Sequence, residues 1–448
     1  MKVNRNPISS SYLGILFVVL LFSLGCLNLS SDGPSPIEKI QATPTFISAP
    51  IEKVQQAKSV IKPHLTPIPS AIVKNESSQT KNIQKEINDS DSYFGVIVHN
   101  ISKPSIRYFL TELGVKWFID FKPNSSNVPT GFNKVPHFSI NQASPMANRL
   151  EIQRIVKSAP QGSYWYIGGE PNTLPTNISG KEFAEIFKYY YSNIKAIDST
   201  AKIMSPSILN WWFECTNCGG YITGREWVDQ FRYTYKESYG IEPPVDVWAI
   251  DLYPLDWGNV PTVNADLVIG QLAGGRLPCN GGKPYLEGQR KYSDADLFDT
   301  ETECLAQQPI KEGLRSYLDA IPEYRNTPIW ITEIALHWGY EGWSFSSPFD
   351  QDKPIVPVGR YCEREVANYM INIFDWLKNN ANEYKIERWF QFLTYADIEK
   401  INITGYAGIT LFDAPEIGAS LTSMGKIYRD LINDTEISID LSKLQACP

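Results

Sequence analysis

From Tyr93 onward, short β-rich runs alternate with segments of helical spacing, and this alternation restricts the fold more than any other feature of the chain. Strands separated by helices pair in parallel, because a helix carries the chain back to the starting edge of the sheet. The runs are "YFGVIVHN" from Tyr93, "VKWFIDFK" from Val115, "VPHFSI" from Val135 and "SYWYIGGE" from Ser163. They continue with "KIMSPSI" from Lys202, "VDVWAIDLY" from Val245, "PIWITEIAL" from Pro328 and "RWFQFLTY" from Arg388. Helical spacing is clearest in "SGKEFAEIFKYYYSNIKAID", where Ser179 and Glu182 form a predicted capping box, and in "REVANYMINIFDWLKN". Eight runs predict an α/β protein with a single (β/α)8 TIM barrel over residues 92–448. The excess length falls between the sixth and seventh runs. There a loop-rich insertion from about Leu255 to Pro309 carries Cys279 and Cys304.

The first 91 residues have another character. Lys2 and Arg5 precede the apolar run Leu13–Gly25, which suits a signal segment and is short for a membrane helix of roughly 20 residues. "SLGC" at Ser23–Cys26 resembles a bacterial lipobox, which implies lipidation of Cys26; an uncleaved signal anchor is the alternative. Residues 1–29 are thus read as signal or anchor, and the chain beyond as secreted or displayed at the cell surface. Residues 30–91, rich in Pro, Ser and Lys, offer too little apolar surface to offset the entropy of ordering and are expected to be a disordered tether. The membrane is expected to be met only through the N-terminal anchor, and the protein to be a monomer.

Export permits disulfides among Cys215, Cys218, Cys279, Cys304, Cys362 and Cys447, with the connectivity open. "CTNC" at Cys215–Cys218 also reads as half a zinc site, but no second pair completes it. A formal net charge of −8 argues against nucleic acid as a partner. Aromatic residues make up 12% of the chain, which suits a groove that stacks flat ligands.

Barrel enzymes place their chemistry at the C-terminal ends of the strands. "YWYIGGEPN" puts Glu170 at the end of the fourth run, and "PIWITEIA" puts Glu333 at the end of the seventh. Strict alternation groups Tyr164, Tyr166, Gly168 and Glu170 on one face, and Ile329, Ile331 and Glu333 on one face. Alone, Glu170 also fits an acid opening a helix, and Glu333 a surface charge at a strand end. Together they match what glycosidic bond cleavage requires: one carboxylic acid to protonate the leaving oxygen and one carboxylate to attack or to activate water.

The order "GEPN", "DLYP" and "WITEIALHWG" resembles the clan A retaining glycoside hydrolases, in particular bacterial proteins with a glycosyl hydrolase catalytic core, over roughly Tyr93–Leu431. The resemblance implies that Glu170 is the general acid/base, Glu333 the nucleophile and Tyr253 the hydrogen-bond donor to it. Three positions depart from the family pattern. Gly169 replaces an Asn that contacts the substrate, Asp251 stands where the family often has His, and Phe392 takes the place of a strand-eight Trp. Asn172 and Asn210 are candidates for the missing amide contact.

Trp211, Trp212, Trp338, Tyr340 and Trp343 follow strand ends, with Trp211 and Trp338 expected to stack on sugar rings and His337 to neighbour Glu333. Packing of long loops is the competing role for each ring. Asp251 is either a neighbour that tunes the glutamates or a structural acceptor. His99, His137 and His337 lack the paired spacing of a metal centre, so no cofactor or metal is expected. The expected ligand is a polysaccharide or oligosaccharide. A barrel that binds glycans without cutting them is the alternative, and a metal-dependent hydrolase a distant third.

Overall fold

The computed structural model describes residues 93–173, 176–212, 222–254, 265–280, 282–284, 297–336, 362–396 and 408–446. The expected signal, tether, "CTNC" pair, Cys447, His337, Trp338, Tyr340 and Trp343 lie outside the described residues.

The strands are β1 (Phe94–Ile97), β2 (Trp117–Ile119), β3 (Asn133–Lys134), β4 (His137–Ser139), β5 (Tyr164–Gly168), β6 (Lys202–Met204), β7 (Ile208–Leu209) and β8 (Trp248–Leu252). They continue with β9 (Cys279–Asn280), β10 (Lys283–Pro284), β11 (Ile329–Ile334) and β12 (Ile386–Gln391). Each of the eight predicted runs holds a strand. The fifth is divided at Pro206, between β6 and β7, and Pro136 separates β4 of the third run from β3, which precedes that run. Proline has no N–H to give the ladder, so pairing lapses there.

A seven-stranded parallel sheet runs in the order β3-β2-β1-β12-β11-β8-β7, and a three-stranded parallel sheet in the order β4-β5-β6. Such a sheet in a mixed α/β chain is consistent with a TIM-like fold. The short antiparallel pair β9–β10 stands apart.

Helices follow the strands: α1 (Lys103–Leu113), α2 (Arg149–Ser158), α3 (Gly180–Lys195), α4 (Gly224–Tyr239), α5 (Asp266–Ala273), α6 (Glu301–Gln307), α7 (Leu314–Asp319), α8 (Glu363–Asn380) and α9 (Ser423–Ile432). Side-chain oxygens cap most of the long ones, from Ser102, Asn148, Ser179, Thr223 and Thr422. At α3 the predicted box is complete. Ser179 Oγ accepts from the Glu182 N–H, and the Glu182 carboxylate accepts from the Ser179 N–H at 3.0 Å.

The stretch expected to be a loop-rich insertion contains α5 and α6. "DLVIGQLA" is mostly apolar and is buried as α5, so part of that stretch packs as an ordinary helix. A disulfide joins Cys279 of β9 to Cys304 of α6, and Cys362 is also disulfide-bonded.

Two apolar clusters divide the faces of the strands. The larger lies between strands and helices and includes Trp165, Ile167, Ile250, Ile329, Ile331 and Ile334. The smaller is built chiefly from strand side chains on the opposite face, among them Ile97, Tyr166, Val247, Ala249, Trp330 and Phe390.

Candidate active site

Val247, just before β8, and Ala249 on it point into the smaller cluster, and period-two alternation carries that face on to Asp251 and Tyr253. Asp251 is 0% exposed. On β5, Tyr166 shares that face, and the strand then ends in Gly168 at φ +116° and Gly169 at φ +96°. Both angles lie where a side chain is strained, so the two glycines permit the turn that brings Glu170 round.

β11 departs from the alternation expected of it. Ile329 and Ile331 pack toward the helices and Trp330 toward the inner cluster, so a regular strand would send Glu333 outward. The register against β8 shifts between Ile331 and Glu333, which pair with Ile250 and Asp251. Thr332 is therefore the extra residue of a bulge, and the bulge re-aims Glu333 at the inner face.

The result is a group of three carboxyls. One oxygen from each of Glu170, Asp251 and Glu333 lies within 4.8 Å of the others. Tyr253, 1% exposed, donates its hydroxyl to Glu333 Oε2. Ser207 and Thr332 each place a hydroxyl 2.6 Å from Asp251 Oδ1, and these two hydroxyls are in close contact with each other. Thr173 reaches Glu170 Oε2 from 3.4 Å.

Burial first, then the mutual repulsion of the carboxyls, holds Glu170 and Glu333 well above the ordinary carboxylate range. Burial likewise pushes Asp251 up to about 7, against the pull of the Ser207 and Thr332 hydroxyls. Burial and mutual repulsion at this spacing both favour the protonated forms of the group. Among the described residues this is also the group placed closely enough to hold a cation. The hydroxyls turned on Asp251 and Glu333 suit proton sharing.

The other candidates fall at varied distances from this centre. Asn210, at φ +54° and fully buried, accepts the Tyr253 N–H on Oδ1 at 3.1 Å, while its Nδ2 has no partner among the described residues. Phe392 meets Tyr253 edge-on, with ring centroids 6.3 Å apart, and the Phe392–Leu393 peptide is cis. Asn172 is buried and turned away. Its amide donates to Leu209 O at 3.1 Å and accepts from Leu209 N at 3.0 Å, so it is occupied in tying the turn after β5 to β7. Trp211 is 1% exposed, and Trp211 and Trp212 both donate their indole N–H to Glu312 O; the structure packs Trp211 into the core, with no face open for stacking.

Ser207, Thr332, Tyr166 and His137 were not singled out as site residues. Their signal was available, since Ser207 and Thr332 are small polar residues inside β-rich runs. His137 stacks on Tyr166 at 4.2 Å and lies against Gly169, and burial lowers its imidazole to about 3.

No protein-family model matches the chain, and no curated protein does. Among solved structures, a subgroup II GH128 endo-β-1,3-glucanase from Sorangium cellulosum is similar at 16% identity and a TM-score of 0.45, over 76% of this chain and 98% of that one. A subgroup I GH128 endo-β-1,3-glucanase from Amycolatopsis mediterranei, in complex with laminaritriose, is similar at 19% identity and a TM-score of 0.41, over 76% and 100%. A subgroup III curdlan-specific exo-β-1,3-glucanase from Blastomyces gilchristii, in complex with glucose, is similar at 16% identity and a TM-score of 0.40, over 75% and 97%.

Proposed function

We propose that the chain is an exported glycoside hydrolase that cuts polysaccharide or oligosaccharide with retention at the anomeric carbon. Its catalytic unit, residues 92–448, is read as a closed (β/α)8 barrel. The single observation that carries the reading is the approach of Glu170 and Glu333 within 4.8 Å, with Tyr253 bonded to Glu333. Retaining enzymes hold their two carboxyls about 5–5.5 Å apart, whereas inverting enzymes leave about 6.5–9.5 Å for a water.

In the proposed reaction the Glu333 carboxylate attacks the anomeric carbon while Glu170 gives its proton to the departing glycosidic oxygen. In the second step Glu170 takes a proton from water, the water oxygen bonds to the anomeric carbon, and Glu333 leaves as carboxylate. The Tyr253 hydroxyl favours the ionised form of Glu333, and burial beside Asp251 favours the protonated form of Glu170.

Closure of the barrel is supported by three connections. β1 pairs with β2 on one side and β12 on the other, a parallel bridge joins Met204 to Val247, and the His137 N–H bonds to Lys122 O at 3.3 Å. Export is supported by the N-terminal signal pattern and fits the Cys279–Cys304 disulfide, which an oxidising compartment maintains. Lipid attachment at Cys26 would make the protein a surface enzyme.

The test is reducing-sugar release by the purified protein on β-linked polysaccharides, with laminarin and curdlan among them, beside Glu333→Gln. Cleavage by the parent and a loss of about 10³-fold or more in the variant is expected. Equal activity in the two proteins would sink the assignment. A second reading, a surface glycan binder, is favoured by Gly169, which brings no side chain to the substrate beside Glu170. Retention of glycan without cleavage by either protein would select it.

A further inference from the structure

We propose that Asp251 is a positioning residue that keeps the acid proton on Glu170, accepting a hydrogen bond from the protonated Glu170 carboxyl while Ser207 and Thr332 fix its other oxygen. The kinetic part of this inference rests on the hydrolase reading; the structural part does not.

A carboxyl with no exposed surface, set inside a strand, is costly unless every polar atom finds a partner. Oδ1 of Asp251 has the two hydroxyls, one from the turn before β7 and one from the bulge of β11. The Glu333 backbone N–H bears on the same carboxylate. Oδ2 is buried and receives no donor among the described residues. Neighbouring carboxyls can supply one only by carrying a proton themselves. Glu333 already holds the Tyr253 hydroxyl, which favours its charged form. Glu170 has, among the described residues, the long Thr173 contact and stands in hydrogen-bonding relation to Asp251.

The arrangement Asp251 carboxylate, protonated Glu170 and Glu333 carboxylate gives each of these donors an acceptor. The titratable groups that face Asp251 are Glu170 from the turn after β5, Glu333 from β11, Tyr166 from β5 and Tyr253 just beyond its own strand. The Tyr166 hydroxyl is tied to Ser207, so the hydroxyl network continues behind Asp251. Burial and the Asp251 charge both raise Glu170, the direction a general acid needs.

During turnover the proton leaves Glu170 for the glycosidic oxygen and is replaced from water, and Asp251 neither gains nor loses one. Its effect is to set the pH above which Glu170 is no longer an acid. A neutral isostere should move that limit downward.

The experiment is infrared difference spectroscopy on the full protein at neutral pH, comparing the parent with Glu170→Gln and Asp251→Asn. The parent is expected to show a protonated-carboxyl band that is missing from E170Q and missing or weakened in D251N. If the band is the same in the parent and E170Q, Glu170 carries no proton and the proposal is overturned, whether or not D251N folds. The second measurement is kcat/KM against pH on a glycan that the parent cleaves. In D251N the alkaline limb is expected at lower pH, with about a tenfold loss at neutral pH that recovers in acid. A profile lowered evenly with its limbs unmoved would mean a structural role only and would overturn the proposal. If the parent cleaves no glycan, the hydrolase reading falls while the infrared comparison still decides where the proton lies.

Discussion

The hydrogen bond from Tyr253 to Glu333 is the residue-level feature with the most direct kinetic consequence. A hydrogen bond to a charged group contributes about 1.5–3 kcal/mol, so Tyr253→Phe is expected to lower kcat/KM roughly ten- to hundredfold. Its pH signature has a definite sign. Tyr253 pulls Glu333 downward, so its removal raises Glu333 further and delays ionisation. The acid limb of the profile should move to higher pH in Y253F, opposite in sense to the shift expected of D251N. An unmoved acid limb would separate Tyr253 from the ionisation of Glu333. Strand-end position is readable in a sequence, and it is what groups Glu170, Asp251, Tyr253 and Glu333. What an amide or an indole does next is not. Asn172 and Trp211 occupy comparable positions, yet both are satisfied by main-chain atoms, of Leu209 and Glu312, that no sequence pattern identifies.

At the scale of elements, α3 offers the cleanest test of local coding. Its capping box was legible because both partners are local, three residues apart, and Ser179 and Glu182 satisfy each other's backbone N–H. Ser179→Ala is expected to cost about 1 kcal/mol in denaturant unfolding and to leave kcat unchanged, since Ser179 is half-buried at the start of α3 and Glu170 is held by β5. A loss of turnover without a loss of stability would show that α3 positions the site more closely than its contacts indicate. The strands were legible for the same local reason, through their β-rich composition and the proline that divides one of them. The bulge at Thr332 was not. Alternation would have sent Glu333 to the helix side with Ile329 and Ile331, and the shift that turns it inward appears only in the pairing of β11 with β8.

For the molecule as a whole, three buried carboxyls in one place make the candidate site a source of instability that depends on pH. Each has a folded-state pKa above its unfolded value, so between the two values the native state binds more protons than the unfolded one. Their contribution is complete below the unfolded carboxylate range, near pH 4, and is lost as pH rises through the folded value. For Asp251 that value is about 7. The melting temperature is therefore expected to fall between roughly pH 4 and pH 7 by an amount reflecting on the order of a few kcal/mol. Asp251→Asn removes one of the charges and should flatten this dependence, leaving the variant less stable than the parent in acid but equal or better above neutrality. Such a crossing would identify Asp251 as a group retained at a cost in stability, the pattern expected of a site shaped for chemistry. Parallel melting curves for parent and variant, displaced by the same amount at every pH, would place the protons elsewhere in the fold. Thermal unfolding in buffers from pH 4 to 8, read by circular dichroism on both proteins, distinguishes the two outcomes without any substrate.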